Sequence, residues 1–416
     1  MINGHGRFGA MKLGRGMSST QDNAVQPPLG RIKSLDGIRA IAICSVMLFH
    51  LTRANGEAIF GGGALGVSVF FVLSGFLITS GLLTEIRNTG AVSLRTFYNK
   101  RFWRLAPALG VLLVLTLITS MTSWPEKLGV GQMSGLRDLL VGWGLALGHI
   151  MNFALTTGNY HEPHELGMTW SLNVEEQFYL GWVLIVVAAL ALGCVRWMGW
   201  VAGIAAMASL SWGAWLVATG NPPRRVAWSL DTQLGPVLLG AALAFALTDA
   251  RVRQFVSKAA WPLMIVAVPG MVFLLVDQPG IDTYIWKQGV IAVCSAVVIA
   301  CLFCAREAGF SRFFGSRPFV WIGERSYGIY LFHGAIFIWL VGTSWEMFGR
   351  YSHHVFVIAL SLAVAALSYR FVERPLLDRA AARRAAKRAV TSEQSTQQAI
   401  PVQASGSAKP VSAGVS

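Results

Sequence analysis

Charge is scarce in this chain: Asp, Glu, Lys and Arg make up 13% of its 416 residues, against 54% hydrophobic. A soluble domain carries roughly twice that charge, so a water-exposed globule is excluded. Cysteine is scarce as well. The five, Cys44, Cys194, Cys294, Cys301 and Cys304, all fall inside apolar runs, which argues against a disulfide framework or a zinc site and for small packing residues. Cys301-x-x-Cys304 has a redox spacing but no βαβ pattern around it. What the chain has in quantity is apolar length. Its mean hydropathy is +0.54, and several runs reach about 20 residues, the length a helix needs to cross roughly 30 Å of hydrocarbon. The class predicted is all-α, a polytopic transmembrane helical bundle.

The basic excess is gathered at the ends. Residues 1–35 carry Arg7, Lys12, Arg15, Arg31 and Lys33 against Asp22, and residues 378–416 carry six basic side chains against Asp378 and Glu393. These tails, 1–33 and 378–416, are rich in Gly, Ser, Gln and Ala and are expected to be disordered. The positive-inside rule puts both in the cytoplasm, and topology, rather than nucleic acid, accounts for their charge. Between them lies one membrane domain, 34–377. Its apolar runs are 36–52, 63–83, 104–121, 136–154, 173–194, 197–217, 231–249, 260–277, 286–305, 326–345 and 353–372. Eleven crossings would separate the tails. The run 136–154, interrupted by Gly142, Gly144, Gly148 and His149, is therefore read as re-entrant or interfacial. About ten spans remain, with a long external excursion from about 122 to 172. Arg224 and Arg225 fall outside in this scheme, where an anionic acceptor is the one role they suggest.

Ionisable residues inside such spans are costly and usually functional. The run LDGIRAIAICSVMLFH, 35–50, carries Asp36 and Arg39 at one end and His50 at the other. Eleven helical steps from Arg39 advance about 16 Å and return to within about 20° of the same face, so both line one stripe. Asp36 is too far back to touch His50 on a continuous helix. A carboxylate that orients His50 has to come from elsewhere, and Glu175 and Glu176, expected at the outer level, are the candidates. Asn173 followed three residues later by Glu176 also fits a plain capping box. At the inner level Arg101 and Arg104 stand one turn apart and offer two guanidinium forks to phosphate oxygens. A cytoplasmic anchor with aromatic belt residues Phe102 and Trp103 is the bland reading of that stretch. Ser74, Ser326, Tyr327, His333 and Glu373 are possible supporting residues. His333 fits a backbone bond or a functional role equally well.

Taken together, L-D-G-I-R-A…H at 35–50, F-F-V-L-S-G-F at 70–76, R-F-W-R at 101–104, W-S-L-N-V-E-E-Q-F-Y at 170–179, G-E-R-S-Y-G-I-Y-L-F-H at 323–333 and V-E-R-P at 372–375 resemble the membrane-bound acyltransferase family 3, the O-acyltransferases of bacterial surface glycans. The resemblance covers about residues 33–377. It implies transfer of an acyl group, commonly acetyl from acetyl-CoA, to a sugar hydroxyl at the far face of a bacterial inner membrane. No metal is called for. The family's Arg-x10-His pair falls on Arg39 and His50, its Arg-x-x-Arg on Arg101 and Arg104, and the first Glu of its E-E-Q-F-Y motif on Glu175. Two departures stand out: no esterase-like domain follows the last span, and Gln233 occupies a position where the family often has Arg.

On this reading Arg39, Arg101 and Arg104 hold the donor's phosphates. His50 is either the general base for the attacking hydroxyl or an acylated intermediate, with Glu175 or Glu176 fixing its tautomer. The expected partners are acyl-CoA, a glycan or glycolipid acceptor and the bilayer; neither the acceptor's identity nor an oligomeric state can be read. The competing reading is a carrier or flippase for a lipid-linked sugar or acyl group, which predicts an inverted repeat. No matching pair of Asp/Arg/His spans appears in the two halves.

Overall fold

The computed structural model describes residues 31–54, 60–121, 136–158, 164–277, 281–340 and 350–399. Among the described residues every regular element is helical. The first half comprises α1 (Lys33–Ala54), α2 (Gly66–Thr89), α3 (Leu94–Ser120), α4 (Leu136–Leu147), α5 (Met151–Thr157) and α6 (Thr169–Ala191). The second comprises α7 (Met198–Ala218), α8 (Pro223–Trp228), α9 (Leu230–Ala246), α10 (Ala250–Lys258), α11 (Ala260–Val276), α12 (Ile281–Cys304), α13 (Gly309–Phe314), α14 (Arg317–Leu340), α15 (Arg350–Ser368) and α16 (Arg374–Ala399). A π-helical turn, Tyr369–Glu373, joins the last two.

Eight described helices are long and apolar enough to cross a membrane, and two bent pairs bring the number to ten. One pair is α4 with α5, bent by 119°, so the run at 136–154 is broken where its glycines and His149 interrupt it, as a broken span or a re-entrant loop would be. His149 sits in the break with φ +56°, a left-handed conformation that non-glycine residues rarely adopt. The other pair is α10 with α11, bent by 74°. α10 is a short basic helix carrying Arg251, Arg253 and Lys258, and Arg253 Nη1 donates to the carbonyls of Leu247 and Thr248 at the end of α9, as cations near helix C-termini do. α14 is too polar in its first half to count among the ten. It lies deep in the bundle, with Gly328 to Ile336 buried, and neighbouring helices rather than lipid surround it.

Several helices start earlier than their apolar runs, among them α3 at Leu94 rather than 104, α6 at Thr169 rather than 173 and α14 at Arg317 rather than 326. An apolar-run reading skips polar opening turns. Here those turns hold Arg101, Arg104 and Glu324, and the shift draws them inside the helices. The chain end needs a second correction. The sequence expectation was a disordered tail from 378, but α16 runs on to Ala399. Ala, Arg and Lys dominate 379–389, and all three favour helix, so low complexity there coincides with regular structure. Residues 1–30 and 400–416 lie outside the described residues.

Glycine sets the closest crossings. A methyl added at Gly75 would run into the Val237 carbonyl, and one at Gly240 into that of Val72, so α2 and α9 meet backbone to backbone. Gly37 meets the Phe314 backbone and Gly323 that of Asp36, which locks α1 against α13 and α14. Such small-residue contacts are how helices associate where lipid removes the hydrophobic drive. The outward faces are apolar: Trp200, Ile204 and Met207 on α7 and Ile265, Val266 and Phe273 on α11 are exposed, as a bilayer-facing surface requires.

Candidate active site

Helices α1, α2, α3, α6 and α14 enclose a cavity of about 90 Å³ lined by Arg39, Ser74, Arg101, Arg104, Glu175, Tyr179, Ser326, Tyr327 and Tyr330 among others. Three cations and six hydroxyls, Ser171 included, converge there in an otherwise apolar bundle. The three arginines come from the two motifs that predicted them, Arg39 on α1 and Arg101 with Arg104 on α3.

The carboxylate pair is placed differently from the expectation. Arg101 Nε donates to Glu176 Oε1 at 2.7 Å and its Nη2 to Glu175 Oε2 at 3.2 Å. Glu175 also accepts from Ser74 Oγ at 2.9 Å and from Tyr179 OH at 2.8 Å, and the Arg101 guanidinium stacks 3.6 Å above the Tyr179 ring. The structure therefore groups Glu175 and Glu176 with Arg101 and Ser74 instead of with His50. The start of α6 explains this. Glu165, Leu166 and Thr169 are already buried, so α6 begins recessed within the protein, and Glu175 lies about 9 Å further along it. Nor is Asn173 a helix cap. It sits inside α6, whose N-cap residue is Met168, and it is buried. Its Oδ1 accepts the Met151 N–H at 2.8 Å, and Gln177 Nε2 donates to the His149 carbonyl at 2.5 Å. Alternate polar residues of W-S-L-N-V-E-E-Q-F-Y thus serve two neighbours: Asn173 and Gln177 secure the break between α4 and α5, while Glu175, Glu176 and Tyr179 hold Arg101.

Asp36 pairs with Arg39 at 2.9 Å and with Arg31 at 2.9 Å, and Arg31 continues to Glu324 at 2.5 Å. Asp36 thereby fixes Arg39 at the cavity edge. Arg104 is different: it lines the cavity, is exposed, and has no ion-pair partner among the described residues. Tyr327 OH donates to the Leu105 carbonyl at 3.1 Å, anchoring α14 to α3, and Ser326 lines the same cavity. Glu373 packs against Gly328, the residue after the cavity-lining Tyr327. It is buried in the π turn and accepts from Ser368 Oγ at 2.8 Å.

His50 is reached from the cavity through α14. Tyr330 lines the cavity, its hydroxyl accepting from Ser171 Oγ at 2.7 Å. Its ring centroid lies 5.5 Å from that of His333, which lies 5.5 Å from that of His50. Phe337 flanks His50 at 6.3 Å. The arginines and His50 thus sit at two ends of one series, as the Arg-x10-His spacing requires. Tyr179, Tyr330 and Ser171 were not singled out from sequence; the i+4 step from Glu175 to Tyr179 was the available signal. Arg225, which suggested an acceptor contact, is held by Asp231 in two bonds of 2.8 and 2.6 Å, and Gln233 is buried against Gln288 at 2.7 Å. Arg224 is exposed and packs over Gly158.

Comparison with known proteins shows the family. The family described as an acyltransferase domain matches residues 32–370. The peptidoglycan O-acetyltransferase OatA of Listeria monocytogenes is 30% identical over 359 residues, covering 83% of this chain and 56% of that protein. The O-acetyltransferase OatA of Staphylococcus aureus is 29% identical over 360 residues, covering 83% of this chain and 57% of that protein. The chain thus spans a little over half the length of these curated relatives. No solved structure matches it. With the match running from the first turn before α1 to the π turn after α15, the chain belongs to the acyltransferase-domain family.

Proposed function

We propose that the protein is an integral-membrane O-acyltransferase that moves an acyl group, acetyl above all, from cytoplasmic acyl-CoA to a hydroxyl of a cell-surface or exported glycan. Its setting on this reading is a bacterial inner membrane, with both termini in the cytoplasm. The relatives' names make peptidoglycan the first acceptor to test. The observation that carries this reading is the cavity of Arg39, Arg101 and Arg104 at one end of a series whose other end is His50.

Arg101 is committed to two carboxylates, so Arg104 is the cation available to phosphate oxygens, with Arg39 beside it and Arg101 shaping the wall. Phosphates seated at this cavity leave the acyl end of the donor to extend beyond it. The arm of the donor then runs along α1 toward His50. There the acceptor hydroxyl gives its proton to the imidazole while its oxygen attacks the thioester carbonyl, and CoA leaves as thiolate and recovers the proton. In the two-step variant His50 nitrogen attacks first, CoA leaves, and the sugar oxygen displaces the imidazole. A hydroxylamine-sensitive acyl-protein that disappears in His50→Ala separates the two.

The test is acyl transfer by the purified full chain in detergent, with labelled acetyl-CoA and peptidoglycan fragments. Transfer without a second compartment supports an enzyme over the carrier reading. Absence of transfer to any glycan, with no release of CoA, contradicts the proposal.

A further inference from the structure

His333 is 2% exposed and lies sixteen residues into α14. Its Nδ1 is 2.6 Å from the Tyr330 carbonyl oxygen and 3.2 Å from that of Ile329. Carbonyl oxygens only accept, so in the neutral ring Nδ1 carries the proton and Nε2 keeps its lone pair. Nε2 is buried and has no hydrogen-bond partner among the described residues. Native proteins rarely leave a buried acceptor that way, and where they do a catalytic role is one of the explanations. The neighbouring ring is His50, 5.5 Å away between centroids and tilted by 53°.

The geometry points to His333 Nε2 as the acceptor of an N–H from His50. That bond sets the His50 tautomer and leaves its other nitrogen with a lone pair for the substrate hydroxyl. As His50 takes up the hydroxyl proton, the same bond becomes charge-assisted and steadies the imidazolium. His333 is then a positioning residue. It fills the part that sequence reading gave to Glu175 or Glu176, whose oxygens the structure commits to Arg101, Ser74 and Tyr179. This inference rests on the proposed role of His50 in acyl transfer.

Two substitutions separate this role from simple packing. In His333→Asn the side-chain amide nitrogen stands near Nδ1 and keeps the donor to the helix carbonyls, but no acceptor replaces Nε2. In His333→Gln the longer side chain carries its amide to the place of Nε2 and restores an acceptor. CoA release from acetyl-CoA is measured on the purified full chain, with a soluble N-acetylglucosamine oligomer as acceptor probe. The expected result is a kcat loss of about 10²-fold in His333→Asn and a loss within about tenfold in His333→Gln, with the donor KM unchanged in both. Equal activities, or Asn active and Gln inactive, overturn the inference and make His333 a packing residue. A second measurement needs neither variant nor turnover: in the chain labelled with 15N-histidine, a nitrogen–nitrogen coupling across the His50–His333 hydrogen bond is expected, and its absence also overturns the inference. A wild-type chain that shows the coupling yet releases no CoA contradicts the proposed function instead.

Discussion

Arg101 Nε donates to the Glu176 carboxylate at 2.7 Å across 75 residues of sequence, within a membrane bundle where both side chains are largely buried. With Glu175 accepting a second bond from the same guanidinium, the arginine belongs to the wall of the cavity, and its neighbour Arg104 faces the space. Removing one partner of such a network leaves buried charge without compensation, which costs about 3–5 kcal/mol. Arg101→Ala is therefore expected to lower the unfolding temperature of the detergent-solubilised protein strongly. Adding Glu175→Gln and Glu176→Gln to the same chain should recover part of the loss. A single variant as stable as wild type would show that the network contributes nothing.

The broken segment gives a second test. Asn173 Oδ1 is the acceptor for the Met151 N–H at the start of α5, and both groups are buried. Asn173→Ala leaves that donor unpaired, at a cost of about 1–3 kcal/mol, whereas Asn173→Asp keeps the acceptor and should cost less. Thermal unfolding of the two variants checks the order. A capping role for Asn173 would instead make both mild.

Glycines of α2 should differ sharply. At Gly75 an added methyl meets backbone of α9, while at Gly81, exposed on the same helix, it meets nothing within 4 Å. Gly75→Ala is expected to destabilise by about 1–3 kcal/mol through overpacking. Gly81→Ala should be neutral or stabilise by about 0.5–1 kcal/mol, since alanine favours helix over glycine. Expression level and unfolding temperature, measured side by side, decide it.

The class of fold was legible in composition, because long apolar runs admit few alternatives in a bilayer, and the break within 136–154 was legible in its glycines and His149. Arg39, Arg101 and Arg104 were legible as a group through their spacing, and the cavity gathers them. The partners of the carboxylates were not legible. Nothing in the local pattern reveals that α6 starts recessed in the protein behind the buried residues Glu165, Leu166 and Thr169. The same limit applied to Arg225, whose partner Asp231 lies only six residues away, but across the turn from α8 to α9.

On the proposed function the site has a donor end at Arg104 and a chemical end at His50, and one paired measurement tests that division. CoA affinity by titration calorimetry and acetyl transfer in a single turnover are read on the full chain carrying Arg104→Ala or His50→Gln. Arg104→Ala should weaken CoA binding about tenfold or more through loss of charge-assisted phosphate contacts, yet transfer at saturating donor should continue. His50→Gln should bind CoA as wild type does and lose transfer by about 10²-fold or more, because the amide cannot take up a proton. Equal loss of CoA affinity in both variants, or transfer by His50→Gln at the wild-type rate, would contradict it.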